Sequence, residues 1–187
     1  MRDISMHMMD IIQNSITASA TKIEILITAN SKKDLLEIRI SDNGCGMNKD
    51  FVNKVTDPFV TTRTIRKVGL GIPMFRESAI AAGGYFRINS EISEGTDILA
   101  GFKISNIDRI PLGDVAETLS EVIISRPDIS YKLDLKSDKD VFEFDTEKIR
   151  EVLQGVSISE IDVIGWIKEN IEEGLKSTLG GVLNEIA

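Results

Sequence analysis

Three stretches and one lone residue hold side chains whose types and spacing could bind a ligand. In the first, Asp10 and Asn14 lie four residues apart, on one face of a predicted helix. The amide oxygen of Asn14 suits Mg²⁺, which prefers hard oxygen ligands. The carboxylate of Asp10, one turn earlier, could orient or deprotonate a water molecule. On its own, such a pair is also typical of a solvated helix face.

The second stretch is the loop Asp-Asn-Gly-Cys-Gly at positions 42–46, which follows a predicted strand. The carboxylate of Asp42 can accept a hydrogen bond from an exocyclic amine such as that of adenine. Gly44 and Gly46 have no Cβ, so a flat base could approach the backbone. The lone residue is Thr96, which follows the turn Ser-Glu-Gly and could share the same base through its hydroxyl. Each of these features also fits an ordinary turn or hairpin without a ligand.

The third stretch is Gly69-Leu70-Gly71, which precedes a predicted helix. Free N–H groups and the positive end of a helix favour phosphate. The preceding loop adds three basic side chains, Arg63, Arg66 and Lys67. Neither GxGxxG nor GxxxxGK[ST] is present, so dinucleotide-binding and P-loop assignments lack support.

Periodicity predicts the elements that must position these residues. A helix is predicted over residues 4–20, with Asp3 or Ser5 as its cap and Met8, Ile12 and Ile16 on its apolar stripe. It is followed by a hairpin over 22–41, a short helix over 48–55, a loop over 56–69, a helix over 72–82 and a second hairpin across the turn 93–95. The remainder predicts a helix over 112–125, a third hairpin, a helix over 146–154 and a last helix. Ser159 and Asp162 resemble a capping box for that last helix, and Trp166 is expected to be core.

Composition and charge limit the function classes. The 187 residues are 42% apolar and include one cysteine, Cys45, and no run long enough for a membrane span. Together with a start that does not resemble a secretory signal, this predicts a cytoplasmic globular protein. The net charge of -8 argues against a general nucleic-acid binder. Residues 1–107 hold 13 basic and 12 acidic side chains, whereas residues 108–187 hold 9 and 18, which predicts two parts with different surfaces.

The order of these motifs along residues 3–104 resembles the GHKL family, whose ATP-binding domain has the Bergerat fold. The stretch DIIQNSITASATKIEI resembles the N-box of MutL proteins and histidine kinases, and SDNGCGM resembles the G1 box. DPFVTTR is similar to a stretch of histidine kinases, GLGIPM to their G2 box, and GGYFRINSEISEGT to their last hairpin. MRDIS, IDRIPLGD and FEFDT also look similar to short stand-alone histidine-kinase-like ATP-binding proteins of anaerobic bacteria.

The resemblance implies an α/β two-layer sandwich, with a mixed, mainly antiparallel sheet, helices on one face and a small C-terminal α+β extension. The implied ligands are ATP and Mg²⁺. Asn14 is in the position that holds Mg²⁺, and Asp10 is in the position of the general base, where hydrolysing members usually have Glu. Because Asp is one methylene shorter, we expect slow hydrolysis or none. Asp42 is implied to bind adenine, with Gly44 and Gly46 along the base and Thr96 assisting through water.

The resemblance also assigns the phosphate end of the site. Gly69 and Gly71 are implied to lie beside the phosphates, with Leu70 between them. Residues 58–68 are implied to form a lid that closes on the nucleotide. The further nucleotide-binding residues of that lid would be Thr61, Thr62 and Arg63. Histidine kinases carry a phosphoacceptor histidine on a separate helix, whereas the single histidine here, His7, lies within the N-box helix and is expected to be packed or solvent-facing.

Three functions remain open at this point. The chain could phosphorylate a protein partner in trans, act as an ATP-gated interaction module without phosphoryl transfer, or be a slow ATPase. In each case residues 1–107 would bind ATP, and the acidic residues 108–187 would contact a protein partner or pack on the first part. Neither nucleic acid nor a membrane is an expected partner.

Overall fold

The computed structural model describes residues 3–55 and 70–183 of the chain. The elements in the first half are α1 (Ile4–Thr17), β1 (Lys22–Asn30), β2 (Leu35–Asp42), α2 (Lys49–Val55), α3 (Gly71–Ala81), β3 (Tyr85–Glu91) and β4 (Gly95–Lys103). They are followed by α4 (Val115–Ser125), β5 (Ser130–Ser137), β6 (Val141–Asp145), α5 (Thr146–Leu153) and α6 (Ile161–Leu179). These helices and strands match the predicted ones to within a few residues. The loop predicted over 56–69 lies outside the described residues.

The strands form one six-stranded sheet in the order β3-β4-β2-β1-β5-β6. β5 pairs with β1 in parallel, and the other neighbouring pairs are antiparallel. Alternate residues of β1, such as Ile23, Ile25 and Ile27, are fully buried, whereas those between them are at least partly exposed. This period-two burial is expected of a sheet covered by helices on one face only. The predicted two-layer sandwich with a mixed, mainly antiparallel sheet is therefore confirmed.

Helix α1 lies at the centre of the helical layer. Its apolar stripe, including Ile4, Met8 and Ile12, is fully buried against the core. Asp3 is the residue that caps it: one carboxylate oxygen accepts a hydrogen bond from the backbone N–H of Met6 at 2.9 Å. The hydroxyl of Ser5 donates to the same carboxylate, so Ser5 supports the cap rather than forming it.

The residues after position 107 pack on the first part through the shared sheet. β5 hydrogen-bonds along the whole of β1 from Lys22 to Ala29, and α4 packs against α1. The backbone N–H groups of Ile4 and Ser5 also donate to the carbonyls of Pro111 and Leu112. The boundary at residue 107 stays a prediction about surfaces, but the two stretches contribute to one continuous core.

Two expectations about α6 are wrong. The helix begins after Glu160, without a side-chain cap, and the hydroxyl of Ser159 instead lies 2.8 Å from that of Ser157. Trp166 is 53% exposed, because α6 turns Ile167, Ile171 and Leu175 towards the core and leaves Trp166 on a neighbouring face. Within the described ranges, no helix combines the length and apolarity that a membrane span requires.

Candidate functional site

A cavity of about 220 Å³ opens between α1, the loop after β2, the start of α3 and strand β4. Its polar lining comes from Asn14, Ser15, Thr17, Asp42, Cys45 and Thr96. Its apolar walls include Ile11, Met47, Phe51, Ile72 and Ile98. Apolar walls with a few converging polar groups are typical of a site for a small organic ligand. The cavity brings together four predicted site residues from separate parts of the sequence: Asn14, Asp42, Gly46 and Thr96.

The carboxylate of Asp42 is held by two donors. It lies at the end of β2, directly opposite Thr96 of β4. The hydroxyl of Ser15 donates to one of its oxygens at 2.6 Å, and the backbone N–H of Gly44 donates to the other at 2.8 Å. Each carboxylate oxygen can accept a further hydrogen bond, so Asp42 can still receive an amino group from a ligand.

Ser15 is a site residue that the sequence reasoning missed. It is 2% exposed and lies on the face of α1 that turns towards Asp42. A signal for it exists: Ser15 interrupts the apolar stripe of α1, and a small hydroxyl at a buried position needs a hydrogen-bond partner. The identity of that partner depends on β2, which the helix pattern alone does not reveal.

Ser90 is a second missed residue, and it joins the loop after β2 to the β3–β4 hairpin. Its hydroxyl accepts a hydrogen bond from the backbone N–H of Met47 and donates to the carbonyl of Gly95, both at 2.8 Å. It also lies 3.0 Å from the hydroxyl of Thr96. Ser90 therefore sets the position of Thr96 relative to the loop.

The loop after β2 is also anchored to the turn between α1 and β1. The side-chain oxygen of Asn43 accepts hydrogen bonds from the backbone N–H groups of Thr21 and Lys22, both at 2.9 Å. Gly44 lies against this turn, since a Cβ on it would come within 2.8 Å of the carbonyl oxygen of Ala18. The absent Cβ of Gly44 thus clears space for Ala18, whereas Gly46 lines the cavity itself.

Two glycines allow the hairpin and the loop to approach each other. Gly46 has a φ of +63°, and a Cβ there would lie 1.8 Å from the carbonyl oxygen of Glu91. Gly95 has a φ of +95°, and a Cβ there would lie 1.9 Å from the carbonyl oxygen of Asp42. No other residue type fits either position without moving the backbone.

The other end of the site lies where α1 meets α3. Helix α3 begins at Gly71. The residue before it, Leu70, has no side chain that could cap the first backbone N–H groups of the helix. A Cβ on Gly71 would lie 2.8 Å from the Cβ of Asp10 and 3.1 Å from one of its carboxylate oxygens. Asp10 is therefore beside the N-terminus of α3, and burial raises the pKa of its carboxyl group.

These residues provide few ligands for a metal ion. Within residues 3–55 and 70–183, no three His, Cys, Asp or Glu side chains cluster closely enough to hold a metal by themselves. Mg²⁺ commonly binds through one or two protein oxygens together with substrate phosphates. Asn14, which lines the cavity, and Asp10, one turn before it, fit that pattern.

His7 is packed in the interior. It is 1% exposed, stacks on Phe75 with ring centroids 5.3 Å apart, and its Nε2 lies 3.0 Å from the hydroxyl of Ser78. Burial lowers the pKa of His7 to about 4, so the ring is neutral at physiological pH. This placement leaves it no surface on which to accept a phosphoryl group.

Several predicted ligand-binding residues are outside the described residues. They are Thr61, Thr62, Arg63 and Gly69, together with Arg66, Lys67 and the lid proposed over 58–68. The end of the site where α1 meets α3 is therefore described through Asp10, Leu70 and Gly71.

The model of the family described as "Histidine kinase-, DNA gyrase B-, and HSP90-like ATPase" matches residues 2–106, more than half of the chain. The chain belongs to this family. A putative sensor protein of Shewanella frigidimarina (strain NCIMB 400) is 30% identical over 103 residues, covering 54% of this chain and 16% of that protein. The DNA mismatch repair protein MutL of Lacticaseibacillus casei (strain BL23) is 27% identical over 188 residues, covering 79% of this chain and 28% of MutL.

A solved structure extends the likeness to the fold. The N-terminal domain of a DNA repair protein has a TM-score of 0.50 and 15% sequence identity, covering 78% of this chain and 52% of that one. At this identity the likeness concerns the fold alone. The chain spans less than a third of the length of the two curated relatives above.

Proposed function

We propose that this chain is a Mg-ATP-binding regulatory protein that acts on a protein partner. The observation that carries the proposal is the carboxylate of Asp42, oriented by Ser15 and Gly44 at the end of a cavity with apolar walls. A carboxylate with spare acceptor capacity recognises the exocyclic amine of adenine, while Ile11, Met47 and Ile98 contact the faces and edges of the base. Thr96, directly across from Asp42, would complete this recognition, directly or through water.

The phosphates would lie towards the N-terminus of α3. The start of α3 has no side-chain cap from Leu70, and the positive end of its helix dipole favours an anion there. Leu70 and Gly71, together with Gly69, Thr61, Thr62 and Arg63, would make up this end of the site. The amide oxygen of Asn14 would bind Mg²⁺, which neutralises phosphate charge and orients the γ-phosphoryl group.

Asp10 is the candidate base for activating water, but two features oppose efficient hydrolysis. An aspartate reaches one methylene less far than a glutamate, and a small error in position lowers the rate of an in-line reaction. Its carboxylate also lies directly against Gly71. These features favour retention of ATP, either for transfer to a partner or for control of a partner interface. The position of Asp10 therefore specifically favours a second candidate function, an ATP-gated interaction module that controls a partner interface without phosphoryl transfer.

We also propose a cytoplasmic setting and a protein partner, with no role for nucleic acid or a membrane. The support is compositional: a net charge of -8 and a single cysteine.

The experiment that separates these functions is incubation with ATP labelled at the γ-phosphate, with and without a co-purifying protein. We expect label to move to the partner and little free phosphate to appear. Binding of ATP without any labelled partner would support the gated module. Rapid phosphate release that Asp10→Ala abolishes would instead show an ATPase. Unchanged Mg-ATP affinity in Asn14→Ala would contradict the metal assignment.

A further inference from the structure

An apolar groove lies between α5 and α6, in the last third of the chain. It is a cleft of about 480 Å³ whose walls include Ile149, Val152 and Leu153 of α5 and Val163 and Trp166 of α6. Val152 is 80% exposed and Trp166 is 53% exposed. Isolated exposed apolar residues need no explanation, but several that share one cleft indicate a binding surface.

The helix facing this groove contains a glycine that its own fold does not require. Gly165 is in the interior of α6 and is exposed, and a Cβ on it would meet nothing within 4 Å. Glycine destabilises an exposed helix interior relative to alanine. Gly165 lies beside the groove lining rather than in it, and its missing side chain leaves the helix surface next to Trp166 uncovered.

The groove is far from the cavity that contains Asp42. Helix α6 packs on β5, β6 and α4, and α5 packs on β5, at one edge of the sheet. The cavity lies at β2 and β4, on the other side of β1. A ligand in the groove therefore makes no contact with the candidate nucleotide site.

The surface around the groove is acidic. Residues 141–179 carry nine acidic and four basic side chains. Three of these basic side chains are already engaged within the protein: Lys148, which also lines the groove, with Glu143; Arg150 with two backbone carbonyls; and Lys168 with Glu117. By contrast, Asp162, which lines the groove, and Glu169, on the same face of α6 as Trp166, form no ion pair with any other described residue.

We propose that the groove binds a basic amphipathic helix of a partner protein. Apolar side chains at positions i, i+3, i+4 and i+7 of that helix would fill the cleft, as in other helix-in-groove interfaces. Its Lys and Arg residues would reach Asp162 and Glu169, and one cation could stack on the exposed ring of Trp166. This goes beyond the proposed function and does not depend on nucleotide binding.

Charge disfavours two other occupants. A second copy of the chain on a two-fold axis would place the acidic surface of one groove against that of the other. An anionic membrane surface attracts basic segments and would repel this one. A basic amphipathic helix would cover the apolar walls of the groove and would also pair with the carboxylates of Asp162 and Glu169.

The test uses the full chain and the fluorescence of Trp166, its single tryptophan. The probe is a synthetic leucine–lysine peptide of about 15 residues, long enough to form an amphipathic helix on binding, and the control probe is a matched leucine–glutamate peptide. We expect a saturable blue shift of Trp166 emission with the lysine peptide and none with the glutamate peptide. Absence of a shift with the lysine peptide would overturn the proposal.

Val152→Asp separates docking from general attraction to an acidic protein. It adds a negative charge to the wall of the groove, so non-specific attraction would strengthen lysine-peptide binding, whereas groove docking predicts binding weaker by about tenfold or more. The matched control is Ile107→Asp, at a side chain that is 96% exposed and outside the groove lining. Unchanged or tighter binding in Val152→Asp would overturn the proposal.

A charge reversal gives a second, independent variant. Asp162→Lys combined with Glu169→Lys should weaken binding of the lysine peptide and create binding of the glutamate peptide. Circular dichroism should confirm that each variant is folded. Asp42→Asn should leave peptide affinity unchanged, so a failed nucleotide site and a failed groove give different results. A blue shift that rises with protein concentration alone, with a dimer in sedimentation, would overturn the proposal in favour of a second copy.

Discussion

The carboxylate of Asp42 is oriented by the hydroxyl of Ser15 and by the backbone N–H of Gly44. Substitution by alanine removes the hydroxyl donor, whereas it would leave a backbone donor in place. Ser15→Ala leaves one carboxylate oxygen without its protein donor, so the side chain of Asp42 can rotate away from the position that we propose receives adenine. Hydrogen bonds to charged groups contribute more than neutral ones, and we expect ATP affinity to fall by roughly 1 kcal/mol, about fivefold. Calorimetric titration with ATP measures this loss.

Ser120→Ala is the matched control for that substitution. Ser120 is also a buried helical serine, 3% exposed, and its hydroxyl donates to the carbonyl of Ala116 rather than to a carboxylate. It lies on α4, outside the cavity lining. Equal loss of ATP affinity in both variants would mean that Ser15 contributes only to stability.

The buried ring of His7 predicts a defined pH dependence of stability. Its pKa is lowered from 6.5 to about 4, so the unfolded chain binds a proton more readily than the folded one between these values. The stabilising contribution is fully present above pH 6.5 and is lost as the pH falls from 6.5 towards 4. Between pH 7 and pH 5 we expect His7 to account for a loss of about 1–2 kcal/mol.

His7→Gln removes this titration while leaving a polar side chain near Ser78. The free energy of unfolding in urea, measured for both proteins at a series of pH values, isolates the contribution of His7. We expect the difference in free energy of unfolding between wild type and His7→Gln to narrow from pH 7 to pH 5, because only wild type loses the contribution of His7. A constant difference would show that His7 does not titrate differently in the folded and unfolded states.

Among the elements, the β3–β4 hairpin and the loop after β2 meet through glycines that leave no room for a side chain. Gly95→Ala places a methyl group within 1.9 Å of the carbonyl of Asp42 and requires alanine at a φ of +95°. We expect destabilisation of about 2 kcal/mol or more, together with weaker ATP binding, because Asp42 must move. Urea denaturation measures the first effect.

Gly165→Ala is the same chemical change in an open part of a helix. Nothing lies within 4 Å of the added methyl group, so this variant should be more stable than wild type by about 0.5–1 kcal/mol. Stabilisation by Gly95→Ala would contradict the packing described at the end of β2.

Periodicity and turn residues predicted most elements, because helices and hairpins are local patterns, whereas the candidate site residues came from side-chain types and from the family resemblance. Asn14, Asp42, Gly46 and Thr96 line one cavity, as the motif order implies, and Asp10 lies beside Gly71 at the start of α3. Ser15 and Ser90 could not be assigned, because the function of a hydroxyl depends on what a distant strand places opposite it. The parallel pairing of β5 with β1 could not be predicted either, because no local sequence feature specifies which strand a distant strand pairs with.

Trp166 illustrates the limit of composition. A single tryptophan in an amphipathic helix usually packs in the core. In α6 the burial is provided by Ile167, Ile171 and Leu175, and the other described elements leave Trp166 about half exposed. Which faces of a helix are covered is decided by neighbouring elements.

At the scale of the whole molecule, the shared sheet predicts cooperative unfolding of residues 1–107 and 108–187. β1 is flanked by β2 on one side and β5 on the other, so removing β5 would expose a long unpaired edge and the apolar face beneath α4. We expect Trp166 fluorescence, which reports on α6, and far-ultraviolet circular dichroism to give the same urea midpoint. An earlier midpoint for Trp166 would show that the extension unfolds by itself.

The measurement that tests the nucleotide site most directly is calorimetric titration of Mg-ATP into wild type and Asp42→Asn. The amide can no longer offer two acceptor oxygens to Ser15, Gly44 and the base together. We expect binding by wild type and a loss of about 1.5–3 kcal/mol in the variant, roughly tenfold or more. Equal affinities, or no binding by folded wild-type protein, would contradict the assignment of this cavity to ATP.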